Sequence, residues 1–348
     1  MSPRMTGTER MEPRGESVIA HAPWWRRGLR NGVVLGVLAL VAVLLLNRQD
    51  LPGLGRVLHD LPAGLAIAVA VHVPQIWFTG LAWRTLVPGP RPSRTTFALL
   101  RWYREAANAL LPAGTLVGQA AAARLLARRG VPGEMAGATA TVDLTVETVS
   151  QLLFTLAGVA VLAATGGALL GAAAGGLALA AAGAVGLVLL QRRLPLGLLE
   201  RGTRRFGHRL PWLRPEALAQ FQAAVLRLHA APHTLHAALW LHLVAWVLGS
   251  LEVMGLLALL GTPISFAEAL AVESLAQALR NIGFLLPGAA AVQEGAFVAA
   301  GALVGVPPGP ALAAALVRRT REVCFGLAGL LAWQREERRA PAVTGGEV

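Results

Sequence analysis

Two groups of charged residues in this sequence sit inside stretches that are otherwise apolar enough to cross a membrane. Residues 311–333 read as a spanning helix, yet Arg318, Arg319, Thr320, Arg321 and Glu322 lie near its centre. An ionised residue at mid-span costs roughly 3 kcal/mol on insertion scales, while each Leu or Val returns only about 0.5. These charges must therefore face partners, water or a charged ligand rather than lipid. Asp143, Glu147 and Gln151 follow i, i+4, i+8 spacing and form one stripe of another helix. Guanidinium forks match both carboxylates and phosphate oxygens, which leaves two chemistries open. In one, Arg318, Arg319 and Arg321, with Arg280 and Arg104, hold an anionic lipid headgroup, and Asp143, Glu147, Glu294 and Glu322 balance charge or couple to protons. In the other, the same groups close on each other as a structural ion-pair network.

The elements that must position these residues follow from composition. The 348 residues are 55% hydrophobic with mean hydropathy +0.57, and several apolar runs approach membrane-spanning length. That describes an all-α polytopic membrane protein. The net charge of +12 is carried by Arg alone and concentrates between apolar runs, where the positive-inside rule places it on the cytoplasmic side. Basic composition thus reflects topology, and nucleic acid is not an expected partner. A single cysteine, Cys324, excludes an intramolecular disulfide and is expected to pack.

In chain order, residues 1–30 are expected to form a disordered cytoplasmic tail, and 31–335 a single integral membrane domain. The run 33–46 lacks a small-residue cleavage site and reads as an uncleaved first span. Residues 61–83 form a second span. Arginines flank both ends of 96–127, so both ends want the cytoplasm. A re-entrant hairpin broken at Pro112 satisfies that, with Arg104 and Asn108 placed to meet free carbonyls; a Pro-kinked span is the alternative. A helix to about residue 165 follows, then another over 168–190 with Gly167, Gly171 and Gly175 at close-packing spacing. Residues 191–236 are basic and amphipathic and are expected on the cytoplasmic surface. After a span at 237–260, residues 261–278 carry Glu268 and Glu273 with no Arg or Lys, and read as an outside loop. A second broken region, with Asn281 and Pro287, leads to the final helix and a cytoplasmic tail at 336–348. The sum is about six full spans plus two Pro-broken re-entrant hairpins.

An offset of 175 residues superimposes the two broken regions without a gap. It sets Leu110, Leu111 and Pro112 on Leu285, Leu286 and Pro287, Gly130-Val131-Pro132 on Gly305-Val306-Pro307, Thr145 on Thr320 and Glu147 on Glu322. Repeat one (96–165) is bounded by arginines and repeat two (270–335) by acidic or neutral loops, so the repeat is read as inverted, with a site between the halves. Gln119 and Glu294 take equivalent places on the returning arms, and Glu294 is an ionisable group at membrane depth. His229, His233, His236 and His242 invite a metal reading, but Pro232 breaks their register and no His-Glu-x-x-His or Cys partner exists. No metal, cofactor or catalytic motif is expected.

Several of these segments resemble one family: Arg-Glu-Ala-Ala-Asn-Ala-Leu-Leu-Pro at 104–112, Gly-Gln at 118–119, Arg-Leu-Leu-Ala-Arg-Arg-Gly-Val from 124, Leu-Pro-Gly at 286–288, Val-Gln-Glu-Gly at 292–295 and Val-Arg-Arg-Thr-Arg-Glu at 317–322. Over about residues 30–335 the chain resembles the lysylphosphatidylglycerol-synthase transmembrane, or flippase-like, proteins. Within them it is most similar to the hopanoid-biosynthesis-associated HpnL-type proteins. The resemblance implies movement of a polar-headed lipid between leaflets, and the subgroup a hopanoid or glycolipid pathway; the Arg-only charge with abundant Ala and Gly suggests a bacterial inner membrane, and the terminal basic clusters set both termini in the cytoplasm. The sequence departs from the pattern at Gln119, where relatives often carry Glu. The chain ends without the soluble aminoacyl-transferase domain of bifunctional members, so lipid aminoacylation is not expected. Expected partners are membrane lipids, then lipid-biosynthesis enzymes or a second copy of the chain. A membrane-embedded lipid-modifying enzyme and a non-catalytic scaffold remain the alternatives.

Overall fold

The computed structural model describes residues 51–111, 113–164, 215–283 and 289–339, with isolated helical positions between 178 and 189. The span expected at 33–46, the glycine-spaced helix at 168–190, both tails beyond these bounds, Pro112 and Pro287 lie outside the described residues. The described elements are helices: α1 Leu51–Leu86, α2 Arg94–Leu110, α3 Gly114–Ala127, α4 Gly133–Ala164, α5 Pro215–His229, α6 Pro232–Leu259, α7 Phe266–Gly283, α8 Ala289–Ala302 and α9 Pro308–Arg339. Asp60–Leu86, Gly133–Ala164 and Pro232–Leu259 are long and apolar enough to cross a membrane. α9 is as long as α4, but its charges remove it from that class.

The bounds of α3 and α8, and of α4 and α9, lie 175 residues apart at both ends. α3 and α8 have 14 residues each. At about 1.5 Å rise per residue they reach roughly 21 Å, short of a hydrocarbon core of about 30 Å. The turns after them also match, because Gly130 and Gly305 both take the left-handed conformation, at φ 89° and 79°. The packing has the same correspondence. α1 lies on α6, α4 packs on α7, and α9 packs on α2, so each long helix is seated against the broken region of the other half.

Between α2 and α3 the chain reverses through Leu111 and Ala113, the latter at φ 53° and ψ 29°. Gly114 is required there, since a Cβ would fall 2.0 Å from the Ala107 carbonyl oxygen. Asn108, placed by the sequence to meet a free carbonyl, accepts at Oδ1 from Thr115 Oγ1 at 2.5 Å and so ties the two arms. Asn281 falls in α7, and its side chain is outside the described ones.

Two expectations are corrected. The outside loop at 261–278 is mostly helix α7. Ser265 and Glu268 cap its start reciprocally, the Ser265 N–H donating to Glu268 Oε2 at 2.7 Å and the Glu268 N–H to Ser265 Oγ at 3.3 Å. Those bonds hold the Glu268 carboxyl below the usual carboxylate range, the Ser265 backbone N–H being the larger cause. Ala269, Ala271, Val272 and Leu275 then bury one face of α7, and Glu273 goes in with them. Lack of basic residues reads as an outside position only if the carboxylates are solvated. Cys324 is exposed rather than packed. In the basic segment, α5 buries Ala224, Val225 and Leu228 against α4 and the start of α6, with Phe221 beside Gly137.

Candidate functional site

The site is built from two ion-pair clusters facing one cavity. In the first, α2 supplies Arg101, Arg104 and Glu105, and α4 supplies Asp143 and Glu147 one turn apart. Arg104 donates from Nη1 to Asp143 Oδ2 at 2.8 Å and from Nη2 to Glu147 Oε2 at 2.6 Å. Arg101 grips Glu147 with both terminal nitrogens, at 2.9 and 2.5 Å, and Glu105 with Nε at 2.8 Å. Asp143 is fully buried, and its second oxygen lies 3.0 Å from His242 Nε2. Gln119 Oε1 accepts from Arg104 Nη1 at 3.1 Å. Spacing alone explains the convergence: positions 101, 104 and 105 share one face of α2, as 143 and 147 share one of α4.

In the second cluster, Arg318 on α9 makes a bidentate pair with Glu273 of α7, at 2.6 and 2.9 Å. Its Nε stands 3.4 Å from Glu252 of α6, and Arg321 Nη1 stands 3.6 Å from the other oxygen of that carboxylate. Arg280 donates to Glu322 Oε1 at 3.2 Å and Arg319 to Glu322 Oε2 at 3.1 Å. Glu252, Glu273 and Arg321 are buried, so these pairs work in a low dielectric where an unpaired charge is costly.

A cavity of about 340 Å³ separates the clusters, lined by Arg101, Arg104, Glu105 and Glu147 on one side and by Glu273, Arg280, Arg318, Arg321 and Glu322 on the other. His72, Gln75, Gln277 and Phe325 are also part of its wall. Arg319 and Glu294 are set apart. Glu294 lines a smaller neighbouring pocket of about 30 Å³, with Gln293, Arg280 and Arg318, and stands 3.6 Å from Arg319. The structure thus brings together Arg104, Asp143, Glu147, Arg280, Arg318, Arg321 and Glu322, with Asp143 behind the cavity wall.

Asp143 and Arg318 hold equivalent positions in the 175-residue register, and the sequence sets one across from the other. In the structure Asp143 pairs with Arg104 and His242, and Arg318 with Glu273 and Glu252. The α9 arginines are matched by acids. Four guanidiniums in the second cluster (Arg280, Arg318, Arg319, Arg321) meet four carboxylates (Glu252, Glu273, Glu294, Glu322). Sequence reasoning missed Glu105, Glu252, Glu273, His72 and His242 as site residues. A lone ionisable residue in an apolar run was the available signal for Glu252.

A charged cavity among helices fit to cross a membrane narrows the possible families. A family model described as the lysylphosphatidylglycerol synthase TM region matches residues 32–329. The chain belongs to that family. No curated protein and no solved structure matches it. The lysylphosphatidylglycerol synthase TM region makes this a membrane protein of lipid-related function. Both charge clusters and the cavity fall within the matched residues.

Proposed function

We propose that the chain is a lipid translocator, a flippase-like protein that moves an anionic or otherwise polar-headed lipid between leaflets through the charged cavity. Arg321 carries this reading. It lines the cavity and is only 5% exposed, and its Nε and Nη1 have no hydrogen-bond acceptor, Glu252 standing just beyond reach. A phosphate oxygen would supply that acceptor. The 175-residue correspondence supports an inverted repeat with two re-entrant hairpins and about six spans, the cavity at the interface between halves. A bacterial inner membrane with both termini cytoplasmic, a hopanoid-linked or glycolipid substrate, lipid-biosynthesis enzymes as partners and self-association belong to the same proposal.

The test is a leaflet-resolved assay of fluorescent phospholipid analogues in liposomes containing the full chain. A charged hydrogen bond contributes about 1.5–3 kcal/mol. Arg321→Ala should therefore weaken headgroup binding roughly tenfold or more, and Glu294→Gln should slow transport as well. Normal flipping by both variants sinks the assignment.

A second reading rests on a specific observation: each of the six arginines in the clusters already has a carboxylate within 4.0 Å, as a purely structural network requires. Exchanging Arg318 and Glu273 by Arg318→Glu with Glu273→Arg keeps the pair and moves the cation. Unaltered transport by that double variant favours the structural network.

A further inference from the structure

Arg321 stands apart from the other arginines of the two clusters. Among the described residues Arg101, Arg104, Arg280, Arg318 and Arg319 each donate at least one hydrogen bond to a carboxylate, while Arg321 Nε and Nη1 donate none. The carboxylate within ion-pair range of Arg321 is Glu252 on α6, whose Oε2 lies 3.6 Å from Nη1. Glu252 is fully buried, and neither of its oxygens accepts a hydrogen bond, Arg318 Nε standing 3.4 Å from Oε1. A charged hydrogen bond is strong in a dry site, so a pair that stays open leaves both partners unsatisfied.

The layering shows what else can draw on Arg321. Arg318 and Arg321 line the cavity; Glu252 does not, and lies behind them. The other acids of the cluster are already engaged. Both oxygens of Glu273 accept from Arg318, and one also accepts from Gln277. Glu322 accepts from Arg280 and Gln293 at one oxygen and from Arg319 at the other, and Glu294 faces Arg319. Arg321 therefore has one carboxylate behind it, held at a distance, and the cavity before it. An oxyanion in the cavity and the Glu252 carboxylate would pull on one guanidinium from opposite sides.

We propose that Glu252 competes with the headgroup phosphate for Arg321 and so sets how tightly the cavity holds an oxyanion. This rests on the reading of Arg321 as the headgroup anchor. Without an anion, Glu252 keeps Arg321 drawn back. With a phosphate group in place, Arg321 gives its unsatisfied N–H groups to that ligand, and Arg318, bonded to Glu273, remains as the cation beside Glu252. The affinity observed is then the intrinsic affinity reduced by the fraction of molecules in which Arg321 is withdrawn. Glu252 acts here as a positioning residue, through Arg321 and without touching the ligand.

The test is binding of phosphatidylglycerol and of inorganic phosphate to the full chain in neutral detergent, read by native mass spectrometry and thermal shift, with diacylglycerol as the phosphate-free control. Glu252→Gln should bind phosphatidylglycerol roughly tenfold tighter than the unaltered chain, where a purely structural Glu252 predicts equal or weaker binding. Glu252→Asp, which withdraws the carboxylate by one methylene, should shift affinity the same way by a smaller step, and it decides the matter if the first variant does not fold. Unchanged or weaker binding in the folded variant overturns the proposal and leaves the translocator reading standing. The gain should vanish when Arg321→Met is added to Glu252→Gln. A gain that survives there is a field effect of the lost charge and overturns the competition. Tightening toward phosphatidylglycerol supports a lipid headgroup as the ligand; tightening toward inorganic phosphate alone keeps the competition and overturns the lipid source. Binding of neither anion, by the unaltered chain or by Glu252→Gln, overturns the translocator reading and the proposal with it.

Discussion

The two ends of the repeat register are closed by different forces. At one, Arg124, Arg128 and Arg129 at the end of α3 reach Glu336 and Glu337 in the last turns of α9; Arg124 pairs with Glu337, Arg129 with Glu336, and Arg128 reaches Glu337 at 2.9 Å. Trp333 Nε1 adds a bond to Glu337 at 3.0 Å. At the other end, 175 residues away in the register, stand Ala299 in the last turn of α8, Leu303 and Val304 just after it, and Val161 and Leu162 on α4. Val161, Leu162 and Val304 belong to one apolar cluster. The chain keeps the lengths of α3 and α4 in α8 and α9, and the turns between them, and changes what holds the ends. An ionic closure weakens in water and salt, whereas an apolar one does not.

The sharpest way to break the likeness between halves is to remove one arginine from each cluster. Arg318→Met strands Glu273, which is 1% exposed, and leaves Glu252 with the more distant Arg321. A buried charge left alone costs about 3–5 kcal/mol, to be read as loss of thermal stability in detergent or nanodiscs. Arg104→Met should cost less, because Arg101 and His242 still face Asp143 and Glu147. Equal losses would remove the distinction between a backed-up cluster and a singly held one.

The closures come next in size. Leu162→Ala should cost about 2–3 kcal/mol, with no dependence on salt. Glu336→Gln with Glu337→Gln should cost on the order of 1 kcal/mol, discounted because Arg124 is about half exposed, and added salt should erase that difference. A salt-sensitive Leu162→Ala, or a salt-indifferent Glu336/Glu337 variant, would overturn the contrast.

The smallest effect belongs to the capping box of α7. The Glu268 carboxyl is held below its ordinary range, so its contribution is present above the unfolded-state value and disappears as pH falls through the folded one. Melting curves taken as pH drops below about 4 should converge for the unaltered chain and Glu268→Gln.

Much of the scaffold was legible in the sequence. The helical membrane class follows from composition, and the offset found from Pro112, Gly130 and Glu147 is the one that relates the bounds of α3 to α8 and of α4 to α9. The pairing of charges was not legible. Register places Asp143 opposite Arg318, but which carboxylate an arginine meets depends on helix packing, here α9 against α2 and α7 against α4. Glu273 was misplaced because a segment without basic residues looks like an outer loop; the Ser265 and Glu268 pair three residues apart was the overlooked sign of a helix start. His72 carried no local signal, since its partners Gln75 and Glu105 show their meaning only when α1 lies against α2 and α6.

The pairing of Arg318 with Glu273 and Glu252 also sets an order of assembly. Synthesis runs from the N-terminus, so both carboxylates enter the membrane before α9 exists. Until α9 arrives, the growing chain carries acids with no guanidinium from α9 to meet them. They must wait protonated, hydrated or in the care of the insertion machinery. α9, last of the described helices, therefore acts as a keystone for the nascent protein: without it docked, two buried acids lack their guanidinium partners.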